Sequence, residues 1–371
     1  MSQIIKAVIA CGGTGGHLFP GVAVAQRLHA RGHEAMLLVS EKQVDALAME
    51  NHPDIPYEPV GSVAAPPMKS PKIVPFFFDF LRVVKQCREI VRRKEADVVL
   101  GMGGFTSLPV LVAGRKEKAQ VFLHEANAIP GRANRMGQRY AGTALIGWEE
   151  ARPAFVKARR VEVVGTPIRS ALTTESRGSI EARQTLGLDS DVPTVLVIGG
   201  SQGARGLNDM VLGALPHLDG VEVQFIHLTG PEDESAAQSI YGKSSVVGAA
   251  TAFWHDMGLA YAASDLVIAR AGASTLNELA FFGLPAILVP YPHAAEQHQL
   301  RNAEIFTRAG AALLADEAEV DGAALAAMIR SLLSGKQSEL KTLSAQMKSL
   351  AIPDSAERIA SLLEESVLSQ R

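Results

Sequence analysis

Hydrophobic and polar positions along this chain fall into short apolar runs of strand length separated by longer stretches of helical period. In the first 165 residues the runs fall at 4–10, 34–39, 98–101, 120–124, 143–146 and 161–164. Runs apolar throughout, rather than alternating, suit strands covered on both faces, so the rhythm predicts a parallel sheet with helices on either side. The segment Gly165-Thr166-Pro167-Ile168-Arg169 breaks it, and the polar stretch 173–179 reads as a linker. A second series at 195–198, 222–228, 245–247, 266–269, 286–289 and 311–314 repeats the first. The tail from 324 to 368 reads as helix interrupted at Pro353, and its last helix is placed to fold back on the first domain. The expected fold is α/β: two Rossmann-like domains whose parallel sheets face across a cleft. They comprise residues 1–165, joined by the helix at 354–371, and residues 166–353.

At 371 residues the chain exceeds one comfortable core, which agrees with two domains. A net charge of −3 gives no global drive toward nucleic acid, and none is expected as a partner. Cys11 and Cys87 are the two cysteines, without CxxC or Cys/His spacing, so neither disulfides nor structural zinc are expected and a reducing cytoplasm fits. No signal peptide precedes the first strand, and no apolar run approaches the roughly 20 residues that span a bilayer. Membrane contact is therefore expected to be peripheral.

A strand, a glycine loop and a helix occur in that order twice. The first copy runs from Ala7 into Cys11-Gly12-Gly13-Thr14-Gly15-Gly16-His17, and the second from Thr194 into Gly199-Gly200-Ser201-Gln202-Gly203. Glycines permit positive φ and close backbone approach, and the first amides of a following helix point outward, which suits a phosphate. An NAD-binding fingerprint needs a third glycine where Leu18 stands, although Glu41 sits where a ribose-binding acid would belong. A nicotinamide-linked oxidoreductase is thereby weakened, and no cofactor is expected. The bland reading, turn geometry without a ligand, explains single glycines better than a run of four.

Between Asp265 and Asn302 the chain reads Arg270-Ala271-Gly272-Ala273-Ser274-Thr275-Leu276-Asn277-Glu278 and then Pro290-Tyr291-Pro292-His293-Ala294-Ala295-Glu296-Gln297-His298-Gln299. Ser274 and Thr275 are placed to cap a helix whose start offers N–H groups to a diphosphate. Glu278, about one turn in, suits the adjacent hydroxyls of a ribose, or else is a solvated acid favoured by the helix dipole. The loop beyond is rich in groups that hydrogen-bond sugar hydroxyls.

With Gly101-Met102-Gly103-Gly104-Phe105, His124-Glu125-Ala126-Asn127 and Gly165-Thr166-Pro167-Ile168-Arg169, these motifs make the whole chain resemble the MurG family of glycosyltransferases. Members move N-acetylglucosamine from its UDP donor to lipid I, giving lipid II for peptidoglycan, and so serve cell-wall biogenesis, cell shape and division. The resemblance implies the GT-B fold, donor bound by the C-terminal domain, acceptor by the N-terminal domain, and an inverting β1→4 transfer. Carried over, Thr14, Gly15, Gly16, Asn127, Arg169, Ser201, Gln202, Phe253, Trp254, Ala273, Ser274, Thr275, Leu276, Asn277, Glu278, His298 and Gln299 contact the donor, while Gly103, Gly104, Phe105 and Asn134 face the acceptor. Trp254 stands where an aliphatic residue often sits beside the uracil, and His298 where glutamine is frequent. Other readings are a second UDP-sugar lipid transferase, a UDP-N-acetylglucosamine 2-epimerase, which would need paired acids, and a non-catalytic sugar-nucleotide sensor.

Inverting transfer needs a base for the acceptor hydroxyl and charge stabilisation for the leaving diphosphate. Helix-start amides and Arg169 supply the latter without a metal; Asp189-Ser190-Asp191 reads as a loop rather than a chelating pair. His17 and Glu125 are the candidate bases. Histidine's ordinary pKa near 6.5 suits proton removal at neutral pH, whereas a glutamate would need a raised one, so His17 is favoured.

Four of the 13 phenylalanines, Phe76, Phe77, Phe78 and Phe80, fall within five residues, among eight basic residues that include Lys72 and Arg82. The segment suits an anionic leaflet at the cytoplasmic face of the plasma membrane, or a buried helix with a solvated basic face.

Overall fold

A computed structural model of the chain describes residues 4–13, 15–61, 73–174, 178–200, 203–254, 256–334 and 338–369. It divides into two compact units, one running to Arg169 and resuming at Ile352, the other Ser170–Ala351. The boundary thus follows Arg169, later than the break in sequence rhythm suggests.

In the first unit β1 (Lys6–Ala10), β2 (Glu34–Ser40), β3 (Tyr57–Val60), β4 (Val98–Gly101), β5 (Gln120–Glu125), β6 (Thr143–Ile146) and β7 (Arg160–Val163) form a parallel sheet in the order β3-β2-β1-β4-β5-β6-β7. Its helices are α1 (Gly15–Ala30), α2 (Gln43–Glu50), α3 (Ile73–Arg93), α4 (Ser107–Lys116) and α5 (Arg132–Gly137). The second unit holds α6 (Ser170–Thr174), α7 (Ser179–Thr185), β8 (Thr194–Ile198), α8 (Arg205–Ala214), β9 (Gln224–Leu228), α9 (Glu234–Tyr241), β10 (Val247–Thr251), α10 (Met257–Ala263), β11 (Leu266–Ala269), α11 (Ala273–Phe282), β12 (Ala286–Leu288), α12 (His298–Arg308), β13 (Ala312–Leu314), α13 (Gly322–Ser334) and α14 (Ser338–Ser349). Its strands, also parallel, run β10-β9-β8-β11-β12-β13.

Both sheets reverse winding direction at the strand that precedes a glycine loop, between β1 and β4 and between β8 and β11. At such a switch point the adjoining loops turn to opposite faces and leave room for a ligand at the carboxyl edge. The apolar runs come from coverage of both faces. Ala7 and Ile9 pack with α1, while Val8 and Ala10 pack with Val83, Cys87 and Ile90 of α3 and Val110 and Leu111 of α4.

Three expectations need correction. β3 has no apolar run: it is an edge strand paired only to β2, where Pro59 costs no inner ladder bond. β10 lies at 247–251 rather than 245–247, because the Val-Gly-Ala-Ala-Thr segment is an edge strand of small side chains, with Gly248 lying under the Tyr241 ring where a Cβ would collide. The expected linker 173–179 is partly helical, since α6 runs to Thr174 and α7 begins at Ser179, with 175–177 outside the described residues, and the break before it is ordered. Thr166 is buried, Gly165 takes φ +77 and gives Ile352 the space a Cβ would fill, and α6 begins at Ser170.

The last helix, α15 (Ser355–Leu368), belongs to the first unit. Ile359, Ala360, Leu363 and Val367 join the core around Ile5, Leu28 and Leu37. Polar contacts fix its rotation: Arg31 donates to Ser361 Oγ (2.7 Å) and Glu364 Oε2 (2.9 Å) and pairs with Glu357, which also meets Arg27 Nε (2.7 Å). Such partly exposed pairs orient more than they stabilise; burial of the apolar stripe supplies the energy. Leu363→Ala should lower the unfolding free energy in urea by about 2–5 kcal/mol through transfer and cavity terms, whereas Arg27→Ala should cost under ~1 kcal/mol. Equal losses would show that the helix is held by charge instead.

Candidate active site

At the carboxyl edge of the first sheet, Gly12 passes so close to the backbone of Val39 and Ser40 that a Cβ would overlap it, and Gly13 takes φ +111. Asp45, 1% exposed, fixes this turn by accepting from Gly13 N (2.7 Å), Ser40 N (3.1 Å) and Ser40 Oγ (2.5 Å). Thr106 Oγ1 donates to Gly12 O (3.0 Å) and so joins the β4–α4 turn to the loop. Thr14 lies outside the described residues; Gly15 and Gly16 open α1.

His17, half-buried, faces that β4–α4 turn. Gly103 (φ +105) and Gly104 (φ +74) carry no Cβ where the imidazole stands: at Gly103 one would approach Cδ2 and Nε2 to 2.9 Å. Desolvation lowers the His17 pKa, opposed by the carboxylates of Glu125 and Asp45. The imidazole is therefore neutral near pH 7. His124, at the end of β5, is also held neutral by burial, and its Nε2 contacts Gly165 O at 2.8 Å.

Glu125 is 4% exposed and fully engaged. Oε1 accepts from Asn127 N (2.9 Å) and Nδ2 (3.0 Å), and Oε2 from Gly131 N (3.0 Å) and Asn134 Nδ2 (2.9 Å). A carboxylate has about four lone-pair sites, so these donors leave none for a substrate hydroxyl. Asn134 also donates to His124 O (2.8 Å) and is 3% exposed, which makes it a brace of the turn between β5 and α5. Phe105, in the β4–α4 turn, is 38% exposed, and the Arg169 guanidinium sits 5.1 Å over the Phe19 ring of α1, half a turn beyond His17. The first unit thus gathers Gly15, Gly16, His17, Gly103, Gly104, Glu125, Asn127, Asn134 and Arg169 along one sheet edge.

In the second unit Gly200 takes φ +105, and Gly203 takes φ +78 where a Cβ would strike Thr229 O. Ser201 and Gln202 lie outside the described residues. Behind this loop, Asn208 Nδ2 donates to Thr229 O (2.9 Å) and Asp233 Oδ2 (2.8 Å), while Asn208 Oδ1 and the Tyr241 hydroxyl sit 3.1 and 3.2 Å from the two nitrogens of buried His227. The cap of α11 is Gly272, with no side-chain cap bond, so Ser274 and Thr275 sit inside the first turn and do not cap it. Leu276 is wholly buried, and Asn277 Nδ2 donates to Ala273 O (2.8 Å), so these two side chains serve the core and the helix. Tyr261, absent from the sequence reading, donates to Glu278 Oε2 at 2.6 Å and sets the direction of that carboxylate.

Gln299 Oε1 accepts from Tyr291 N (2.9 Å), closing the loop that precedes α12. His298 is half-exposed at the start of that helix. Phe253 is 53% exposed just after β10, with Trp254 half-buried beside it. Asp189 Oδ1 accepts Asp191 N–H (2.9 Å) in a turn ahead of β8. Among the described residues no three His, Cys, Asp or Glu side chains gather as a metal site.

Sequence signals for the missed residues differ. Arg270 closes an all-apolar strand, where an unpaired charge is untenable, but Asp45, Asn208 and Tyr261 sit in ordinary helical patterns.

Glycosyltransferase family 28 matches the chain twice, its N-terminal domain over residues 7–146 and its C-terminal domain over 194–359. The UDP-N-acetylglucosamine–N-acetylmuramyl-(pentapeptide) pyrophosphoryl-undecaprenol N-acetylglucosamine transferase of Syntrophotalea carbinolica is 37% identical over 367 residues, 96% of this chain and 97% of its own. Its namesake from Halorhodospira halophila is 37% identical over 98% of this chain and 99% of its own. The crystal structure of Acinetobacter baumannii MurG superposes with a TM-score of 0.78 at 25% identity, covering 98% of this chain and all of that one.

Burial pushes the His227 pKa down to about 4. Below its ordinary value near 6.5 the unfolded chain binds a proton that the folded one refuses, so stability present above pH 6.5 is lost as pH falls toward 4. This loss is on the order of 3 kcal/mol. Urea unfolding of wild type and His227→Gln across that window should show the wild type losing more; parallel slopes would remove His227 as the cause.

Proposed function

This chain belongs to glycosyltransferase family 28 and, within it, to the MurG group, and from that membership we propose that it transfers N-acetylglucosamine from UDP-N-acetylglucosamine to the MurNAc C4 hydroxyl of lipid I, making lipid II. The chain is a hexosyltransferase. The observation that carries the specific reaction is near-full-length 37% identity to transferases named for it, joined to a neutral histidine at the first switch point.

In this reading the acceptor oxygen attacks the anomeric carbon as the bond from that carbon to the diphosphate breaks, which inverts the centre and releases UDP. The hydroxyl proton passes to the neutral imidazole of His17. Two geometric observations support His17 over Glu125, a half-buried ring backed by two glycines and the complete engagement of Glu125 by N–H donors, and desolvation favours the neutral imidazole that can take a proton. Glu125 then shapes the acceptor loop and favours the imidazolium electrostatically once it forms. Charge on departing UDP is met by backbone N–H groups at the starts of α8 and α11. Glu278, steered by Tyr261, takes the ribose hydroxyls, and Phe253 and Trp254 lie by the uracil.

We further assign the start of α3 to an anionic membrane surface. Val74, Phe77, Phe78 and Leu81 are exposed, whereas Val83, Val84, Cys87, Ile90 and Val91 of the same helix are buried. Phe76 and Phe80 stack at 6.2 Å and are only half-exposed. Several cations are already engaged: Arg88 and Arg92 with Glu117, Arg93 with Glu58, Arg82 with Asp79. The apolar cluster therefore carries much of the proposed contact, and charge supplies attraction. Lys72 lies outside the described residues. No described helix is long and apolar enough to cross a membrane.

Incubation with radiolabelled UDP-N-acetylglucosamine, a lipid I analogue and EDTA should yield labelled lipid II; no transfer to this acceptor would overturn the reaction. His17→Ala should reduce kcat by roughly 10²–10⁴, and wild-type activity should fall on an acid limb lying below pH 6.5. Near-normal turnover in His17→Ala would remove the base assignment. Phe77→Ser with Phe78→Ser should reduce sedimentation with vesicles containing phosphatidylglycerol while leaving transfer to a detergent-soluble acceptor intact. Unchanged sedimentation would remove α3 from the membrane surface.

A further inference from the structure

Arg270 follows β11 and is 7% exposed, a permanent cation placed where charge is tolerated only when paired. Its Nη1 donates to the carbonyls of Val289 (3.1 Å) and Pro290 (3.3 Å) and lies 2.5 Å from Glu317 Oε2; its Cζ stands 5.5 Å over the Tyr291 ring. Glu317 comes from the segment after β13. Its carboxylate rests against Gly206 in the first turn of α8, where a Cβ would occupy the carboxylate's own position. One ion pair thus joins four segments of the second unit: the start of α8, the β11–α11 turn, the loop 289–299 and the segment after β13.

We propose that the Arg270–Glu317 pair, seated on Gly206, is a positioning device that sets the path of residues 289–299 and thereby the affinity for a sugar nucleotide. The proposal rests on the reading of this unit as the donor-binding one. Beyond Val289 N–H, which still bonds Ala269 O at 2.8 Å, the β12 ladder ends, and Pro290 and Pro292 bring no N–H of their own. The guanidinium therefore replaces strand pairing at the point where the loop departs. Downstream, Glu296 and Gln297 sit at φ 55° and 54°, a region that side-chain-bearing residues occupy only where their surroundings dictate it. Tyr291 closes the arrangement, its ring under the guanidinium and its N–H on Gln299 Oε1. A buried ion pair adds little net stability, so its consequence is geometric. Glycine at 206 is otherwise unfavourable in a helix; here it makes room for Glu317.

Calorimetric titration of the full chain with UDP-N-acetylglucosamine tests this on wild type, Glu317→Gln, Gly206→Ala and the double variant, with Tm followed in parallel. Each single variant should weaken binding roughly tenfold and raise KM for the donor more than it lowers kcat, with a cooperative thermal transition that shows a folded chain; Glu317→Gln, which leaves Arg270 without its carboxylate, should also lower Tm. The double variant should be no weaker than the worse single, because both changes disable one device. Alanine is the better helix former, so a loss in Gly206→Ala does not come from weaker helix propensity in α8, and the double variant separates displacement of Glu317 from a direct effect of the methyl. Unchanged binding in both single variants, or losses that multiply in the double, would overturn the proposal. A wild type that fails to bind the nucleotide would instead overturn the donor reading on which it rests.

Discussion

Four N–H donors converge on the buried carboxylate of Glu125, two from Asn127, one from Gly131 and one from Asn134, and the turn between β5 and α5 takes its shape from them. A buried carboxylate is tolerated only when its lone pairs are occupied, so removing any donor leaves a desolvated acceptor whose cost is about 1–3 kcal/mol or more. The same requirement operates at Asp45, where three donors hold the first glycine loop against β2. His17 lies in the field of both anions, whose attraction for a proton opposes the desolvation that keeps its ring neutral. The carboxylates thereby form the frame of the loops around the histidine.

The two glycine loops share a backbone plan and differ in what surrounds them. Each follows a central strand at a switch point, so each presents helix-start amides at a carboxyl edge. The first is crowded by Gly103 and Gly104 against an imidazole. The second is backed by Asn208, His227 and Tyr241, a network that fixes the loop between β9 and α9 through Thr229 O and Asp233. Half-buried His17 and buried His124 and Glu125 thus collect in the first unit, and the Tyr261–Glu278 pair and the Asn208–His227–Tyr241 network in the second.

Helix α3 shows how one element divides its roles along its length. Its later turns bury Cys87, Ile90 and Val91 under the sheet and tie their basic residues to Glu117 and Glu58, while its first turns leave Phe77 and Phe78 uncovered. Periodicity alone allowed a buried helix or a membrane-facing one. The helix is buried in its second half and open in its first.

The apolar runs by themselves determined that both halves are parallel α/β sheets, because strands covered on both faces must be apolar throughout. The glycine loops and ordered motifs likewise determined the family. Of the four edge strands, β7 and β13 were legible, whereas β3, which carries Pro59, was missed and β10, mostly small residues, was misplaced, since an edge needs neither a full ladder nor two apolar faces. The cap of α11 escaped as well, because Ser274 and Thr275 have capping chemistry, but the chain turns at Gly272. Only tertiary structure could decide that Glu125 is occupied and that Gly103 and Gly104 lie against the His17 ring, that Tyr261 steers Glu278, and that Glu317 fills the space above Gly206. The donors on Glu125 come from its own following turn, but whether that turn closes on the carboxylate, like the longer-range approaches of Tyr261 to Glu278 and of Glu317 to Gly206, depends on the packed backbone, of which local residue pattern carries no record.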